Sequence, residues 1–137
     1  MVNYYFDTSI WIDLFEDRNE PNRPKADFAK RLINKIIKED HKIIYSNLII
    51  EELKDFGYTF YEIKELFKRF QGISIKIGYA RRQFGKAKDL AKKRKIPLVD
   101  ALHAIIARDF RAILITRDHH FKELRNIILT KAPEDII

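Results

Sequence analysis

Val2-Asn3-Tyr4-Tyr5-Phe6-Asp7-Thr8-Ser9 is the stretch that decides the reading of this chain. It describes a short buried strand that ends on an acid. Two hydroxyl residues follow, and then an apolar run, Ile10-Trp11-Ile12, that starts a helix. A carboxylate at the end of a buried strand is costly unless something pairs with it. The rest of the sequence is read for what pairs with Asp7.

The 137 residues are expected to form one domain, large enough for a real core. Hydrophobic residues make up 46% and charged residues 34%, which excludes a disordered chain. The absence of cysteine removes disulfides, thiol catalysis and cysteine-held zinc, and suits a reducing cytoplasm. The first residues pass straight into a strand, so no secretion leader is expected. No apolar run approaches the roughly 18 residues of a membrane span. The net charge of +7 favours a polyanionic partner such as nucleic acid, with a lysine-rich thermophile surface as the plainer explanation.

Outward from the first strand, residues 8–16 form a short helix and Asp17 to Pro24 a polar loop with two prolines. Pro24 to about Asp40 places Phe28, Leu32, Ile33, Ile36 and Ile37 on one helical face. Ile43-Ile44-Tyr45 is the second strand, and Ser46-Asn47 caps a helix whose buried face is Ile49, Leu53 and Phe56, ended by Gly57. Thr59 to Phe70 is helical, with Phe60, Ile63, Phe67 and Phe70 inward. Ile73 to Ile77 alternates as a third strand. Residues 79–95 make a basic helix with Ala80, Phe84, Ala87 and Ala91 on its apolar face. Leu98 to Phe110 is a helix with Leu98, Leu102, Ile105 and Ile106 inward. Ala112 to Thr116 is the fourth strand, Phe121 to Arg125 a helical turn, and Ile127-Ile128-Leu129 the fifth strand. Strands alternating with helices predict an α/β domain whose mostly parallel sheet is covered on both faces. Trp11 is expected in the core or at a dimer contact.

Ligands of such sheets bind outside the carboxyl ends of the strands. Asp7 ends the first strand, Glu51 and Glu52 follow the second, and Asp118 follows the fourth. Asp100 opens the helix that leads into the fourth. Glu52 stacks with Leu48, Ile49 and Phe56 at helical spacing and edges the buried stripe, whereas Glu51 shares a solvated side with Lys54 and Asp55. Asp7, Glu52, Asp100 and Asp118 are therefore the candidate site. Carboxylates crowded at one rim repel, and a hard divalent cation such as Mg²⁺ or Mn²⁺ resolves the repulsion. Acids holding such a cation under a basic surface suit phosphodiester hydrolysis.

The sequence resembles the PIN-domain ribonucleases, in particular the small VapC toxin type. The resemblance is carried in order by Tyr5-Phe6-Asp7-Thr8-Ser9, by Ser46 through Glu51-Glu52-Leu53, by Leu98-Val99-Asp100-Ala101-Leu102-His103-Ala104 and by Leu114-Ile115-Thr116-Arg117-Asp118-His119-His120-Phe121. It implies a three-layer α/β/α domain with a five-stranded parallel sheet in the order 3-2-1-4-5. It implies an endoribonuclease that uses Mg²⁺ or Mn²⁺ held by Asp7, Glu52, Asp100 and Asp118, with Ser9 and Thr116 supporting the acids. It also implies a homodimer and an antitoxin partner. Arg81, Arg82 and Lys86 of the basic helix, together with Arg117 and His120, are the expected RNA contacts. His103 is expected at the helix surface or the edge of the site. The long loop from Asp17 to Pro24 keeps open an RNA-processing nuclease outside toxin–antitoxin pairs. A catalytically inactive RNA- or protein-binding module is the rival from another class. A dehalogenase-type phosphatase would need an aspartate where Ser9 stands.

Overall fold

The central strand β1 (Asn3–Phe6) forms because Tyr4, Tyr5 and Phe6 are buried while both neighbours in the sheet supply apolar partners. In the computed structural model, which describes residues 1–137, β1 lies between β2 (Lys42–Ser46) and β4 (Ala112–Ile115). Tyr5 pairs with Ile44 on one side and Leu114 on the other, and both ladders are parallel. β3 (Ser74–Ile77) and β5 (Thr130–Lys131) close the two edges, giving the order β3-β2-β1-β4-β5 with every pairing parallel. Helices α1 (Thr8–Phe15), α2 (Lys25–Lys38), α3 (Asn47–Phe56), α4 (Phe60–Lys68), α5 (Arg81–Arg94) and α6 (Leu98–Asp109) make the three-layer α/β/α arrangement that the sequence predicts. The carboxyl ends of all five strands share one rim. The chain builds away from β1 in one direction and returns to its other side with β4, so the switch point lies between β1 and β4.

One continuous core of 31 buried residues spans the layers. Its densest part surrounds Trp11, whose ring centroid lies 5.2 Å from Phe6, 4.8 Å from Phe67 and 5.4 Å from Phe70. This cluster docks α1 and α4 over β1 and β2. It also places Asp7, four residues before Trp11, at the open rim rather than inside the core. No helix is long and apolar enough to cross a membrane.

Several local expectations differ from the structure. The fifth strand is not Ile127-Ile128-Leu129. The amides of Ile127 and Ile128 both donate to Leu124 O (2.9 and 3.0 Å), which leaves them nothing to give a ladder. Pairing therefore starts at Leu129 O and continues through Thr130–Lys131, while Ile128 plugs the core. Phe56, Phe60, Phe84 and Ile37 are exposed rather than inward. The first three each lie beneath a cation, Arg18, Lys54 and Lys88 respectively, at 5.0–5.9 Å. Ser46 precedes α3 but makes no capping bond, because its hydroxyl is engaged by Tyr5.

Candidate active site

Asp7 caps α1. Its Oδ1 accepts from the Ser9 amide (2.6 Å) and the Ser9 hydroxyl (2.8 Å), and its Oδ2 accepts from the Thr116 hydroxyl. Thr116 Oγ1 in turn accepts from the Asp118 amide at 3.0 Å. One hydroxyl thus joins the end of β1 to the turn after β4. Asp7 is only 7% exposed, and these donors satisfy both of its oxygens.

Glu52, one turn into α3, turns toward the same rim. Its Oε1 accepts from Thr8 Oγ1 at 2.6 Å and pairs with Nε2 of His103. Burial works against this carboxylate. The bond and charge of His103, with the bond of Thr8, more than offset it, and the Glu52 pKa is held below the ordinary value. Glu51 is exposed, as the helical spacing predicts.

Asp100 in the first turn of α6 and Asp118 after β4 face each other. Asp118 caps the turn His119–Leu124 by accepting the His120 amide at 2.9 Å. The His120 ring lies between the two acids, with Nδ1 3.0 Å from Asp100 Oδ2 and 3.2 Å from Asp118 Oδ1. Ligand atoms of Asp100, Asp118 and His120 fall within 4.8 Å of one another. The Asp100 pKa is raised, first by burial and then by the Asp118 charge, and His120 and His103 offset this in part.

All four acids line one cleft of about 420 Å³, together with Thr8, Ser9 and His103. Two carboxylates with the His120 nitrogen beside them form a donor set that suits a divalent cation, and burial together with the Asp118 charge pushes the Asp100 pKa up.

The basic residues expected at RNA are placed differently. Gln83 Nε2 donates to Asp109 at 3.0 Å, which sets the start of α5 against the C-terminal end of α6. At 1.5 Å per residue, that end is about 13 Å along the helix from Asp100. Arg81, Arg82 and Lys86 therefore stand away from the acids, because α5 meets α6 by its opposite end. Arg117 is also committed, pairing with Asp13 (3.3 Å) and Glu134 (2.8 Å) with its side chain 13% exposed. Asp13 is a buried acid inside α1 that no pattern in the sequence marks. Burial pushes its pKa up against the opposing charges of Lys25, Arg117 and Arg18. His103 is 3% exposed, so it is not at the helix surface, but it lines the cleft, as the site-edge alternative expects. The signal for it was its position three residues after Asp100, on a helix whose neighbours Leu102, Ile105 and Ile106 are all apolar.

A parallel three-layer domain with acids gathered at the switch point of a 3-2-1-4-5 sheet defines the class. The chain belongs to the PIN-domain family, with residues 4–127 matching the PIN domain. Its fold is similar to that of a chain in a toxin–antitoxin complex from Klebsiella pneumoniae, at 22% identity over 95% of this chain and 97% of that one, with a TM-score of 0.68. It is similar to a chain of VapBC2 from Rickettsia felis bound to a promoter DNA fragment (17% identity, 96% and 98% covered, TM-score 0.70). It is also similar to a chain of VapBC-1 from nontypeable Haemophilus influenzae (20% identity, 97% and 99% covered, TM-score 0.66). At these identities the likeness is one of fold. No curated protein sequence matches the chain.

Proposed function

We propose that the protein is a divalent-metal-dependent endoribonuclease, the toxin of a toxin–antitoxin pair. The observation that carries this reading is the convergence of Asp100, Asp118 and His120 within 4.8 Å, beside a cleft that Asp7, Glu52, Asp100 and Asp118 line together. Family membership supports the nuclease part, and the complexes containing its structural relatives support the toxin part.

Asp100 and Asp118 would hold Mg²⁺ or Mn²⁺, with Asp7 and Glu52 completing the acidic ring. When bound, such a cation lowers the pKa of water and neutralises phosphate charge. Ser9 and Thr116 hold Asp7 in orientation through their bonds to its two oxygens. His120, with Nδ1 3.0 Å from Asp100 Oδ2 and 3.2 Å from Asp118 Oδ1, would stand beside such a cation as a third donor.

The RNA backbone follows a groove of about 780 Å³ that meets the cleft at Asp118. Arg23, Lys122, Arg125 and Lys131 line it, with none in ion-pair contact with a carboxylate, and Phe28 offers an aromatic surface for a base. This replaces α5 as the main phosphate track. The protein would act in the cytoplasm as a homodimer silenced by an antitoxin, as the resemblance implies.

The test is cleavage of labelled single-stranded RNA with Mg²⁺ or Mn²⁺ by the parent, Asp7→Asn and Asp100→Asn. Metal-dependent cutting by the parent and its loss in both variants is expected. Equal rates in all three would overturn the mechanism. No cleavage and no divalent-ion binding would favour the inactive binding module.

A further inference from the structure

Behind Glu52 lies a chain of buried polar side chains that the cleavage reading leaves unused. Ser46 ends β2, Tyr5 belongs to β1 and His103 to α6, so three separate elements meet there. Ser46 and Tyr5 are fully buried and His103 nearly so. Tyr5 Oη lies 2.8 Å from Ser46 Oγ and 2.7 Å from His103 Nδ1, and His103 Nε2 reaches Glu52 Oε1. Apolar residues of similar size would cover these positions without the desolvation cost of three polar groups. The chain also runs to one end, the carboxylate of Glu52.

Donor rules set its direction. An ionised carboxylate only accepts, so His103 must carry its hydrogen on Nε2. In the neutral ring Nδ1 is then an acceptor, and the group facing it is the Tyr5 hydroxyl, which must donate. Ser46 can donate to Tyr5 in turn. At the far end, Oε1 of Glu52 takes both His103 and Thr8, while Oε2 has no protein partner.

We propose that Tyr5 and His103 are positioning residues. The Tyr5 hydroxyl selects the Nε2–H tautomer of His103, and that N–H, with the Thr8 hydroxyl, turns Glu52 so that a single oxygen, Oε2, is offered to the cleft. This rests on the reading of the cleft as the active site. Groups that orient acids at such sites typically contribute about 10- to 100-fold to affinity or activity.

The experiment reads the tautomer and the kinetics separately. Ring ¹⁵N NMR of the full metal-free chain at pH 8, with His103 assigned by the signal lost in His103→Gln, is expected to show Nε2–H in the parent. Tyr5→Phe should shift the ring toward a tautomer mixture. In RNA cleavage, Tyr5→Phe and His103→Ala should lower kcat about tenfold and raise the Mn²⁺ concentration for half-maximal rate, with KM for RNA unchanged. His103→Gln, which can present an amide N–H to Glu52, should recover part of the rate. An Nδ1–H or doubly protonated ring in the parent would overturn the proposal, and that result needs no variant to fold. So would an unchanged tautomer in Tyr5→Phe, or an unchanged kcat in His103→Ala. A parent inactive in every metal would sink the nuclease reading and the catalytic half of this proposal, while the tautomer result would still decide the geometry.

Discussion

The two sides of the cleft treat their acids in opposite ways. On one side, Asp7 and Glu52 are held by donors: Ser9 and Thr116 for Asp7, Thr8 and His103 for Glu52. The fold has a use for these charges, and Glu52 sits below its ordinary pKa. On the other side, Asp100 and Asp118 face each other across the His120 ring, Asp118 also takes the His120 amide, and Asp100 sits above its ordinary pKa. Orientation has been secured on the first side. Attraction for a cation has been left unspent on the second. Two like charges set face to face are the sharper sign of function.

The largest expected effects come from removing the facing pair. Asp100→Asn and Asp118→Asn should each reduce RNA cleavage by roughly a hundredfold or more, as loss of a principal charge-stabilising group does. Asp100→Asn should also make the metal-free protein more stable at neutral pH, raising Tm by a few degrees, on the order expected for ~1 kcal/mol in a domain of this size. The sign follows from the raised folded-state pKa of Asp100. Its ionised form penalises folding above that pKa, and the penalty fades as pH falls below the unfolded value, so the Tm gain should shrink toward acid pH. Thermal melts across pH check this, and a lower Tm at neutral pH would break the contrast between the two sides.

Asp7→Ala should do the reverse to stability. It removes the α1 cap and leaves the Ser9 amide and Thr116 hydroxyl without their acceptor, a loss of about 1–3 kcal/mol in urea unfolding. Thr116→Val should be milder. It cuts the link from Asp7 to the Asp118 amide, and an activity loss of about tenfold with roughly 1 kcal/mol of destabilisation is expected. The smallest effect should come from the α5 surface. Arg81→Glu with Arg82→Glu should change RNA binding by an inactive Asp7→Asn protein less than about threefold at moderate salt, whereas Lys122→Glu with Arg125→Glu should weaken it tenfold or more. The opposite ranking in a filter-binding assay would return the phosphate track to α5.

Much of this organisation was legible in the sequence, and what was not has physical reasons. The strand-ending acids and their order were readable because a parallel sheet gathers its carboxyl ends at one rim. Glu52 was separable from Glu51 by helical spacing alone. The seat of α5 was readable in the three-residue link from Lys95 to Pro97, which makes α5 and α6 antiparallel and puts Arg81 and Arg82 at the far end from Asp100, as the Gln83–Asp109 bond shows. Arg117 looked free beside Asp118, but its partners Asp13 and Glu134 come from distant parts of the chain. His103 was hidden for the same reason, since Tyr5 and Glu52 are its neighbours only in the fold. The last strand slipped from Ile127-Ile128-Leu129 to Thr130–Lys131 because a local turn consumed the amides that hydropathy assigned to the sheet.

The central claim is that the side of the cleft with the facing acids Asp100 and Asp118 holds a divalent cation. Calorimetric titration of Mn²⁺ into the metal-free parent tests it directly, with Asp100→Asn and the exposed-site control Glu51→Gln alongside. Saturable binding by the parent and Glu51→Gln, lost or weakened at least tenfold in Asp100→Asn, is the predicted result. Equal binding by all three, or none by the parent, would contradict the account.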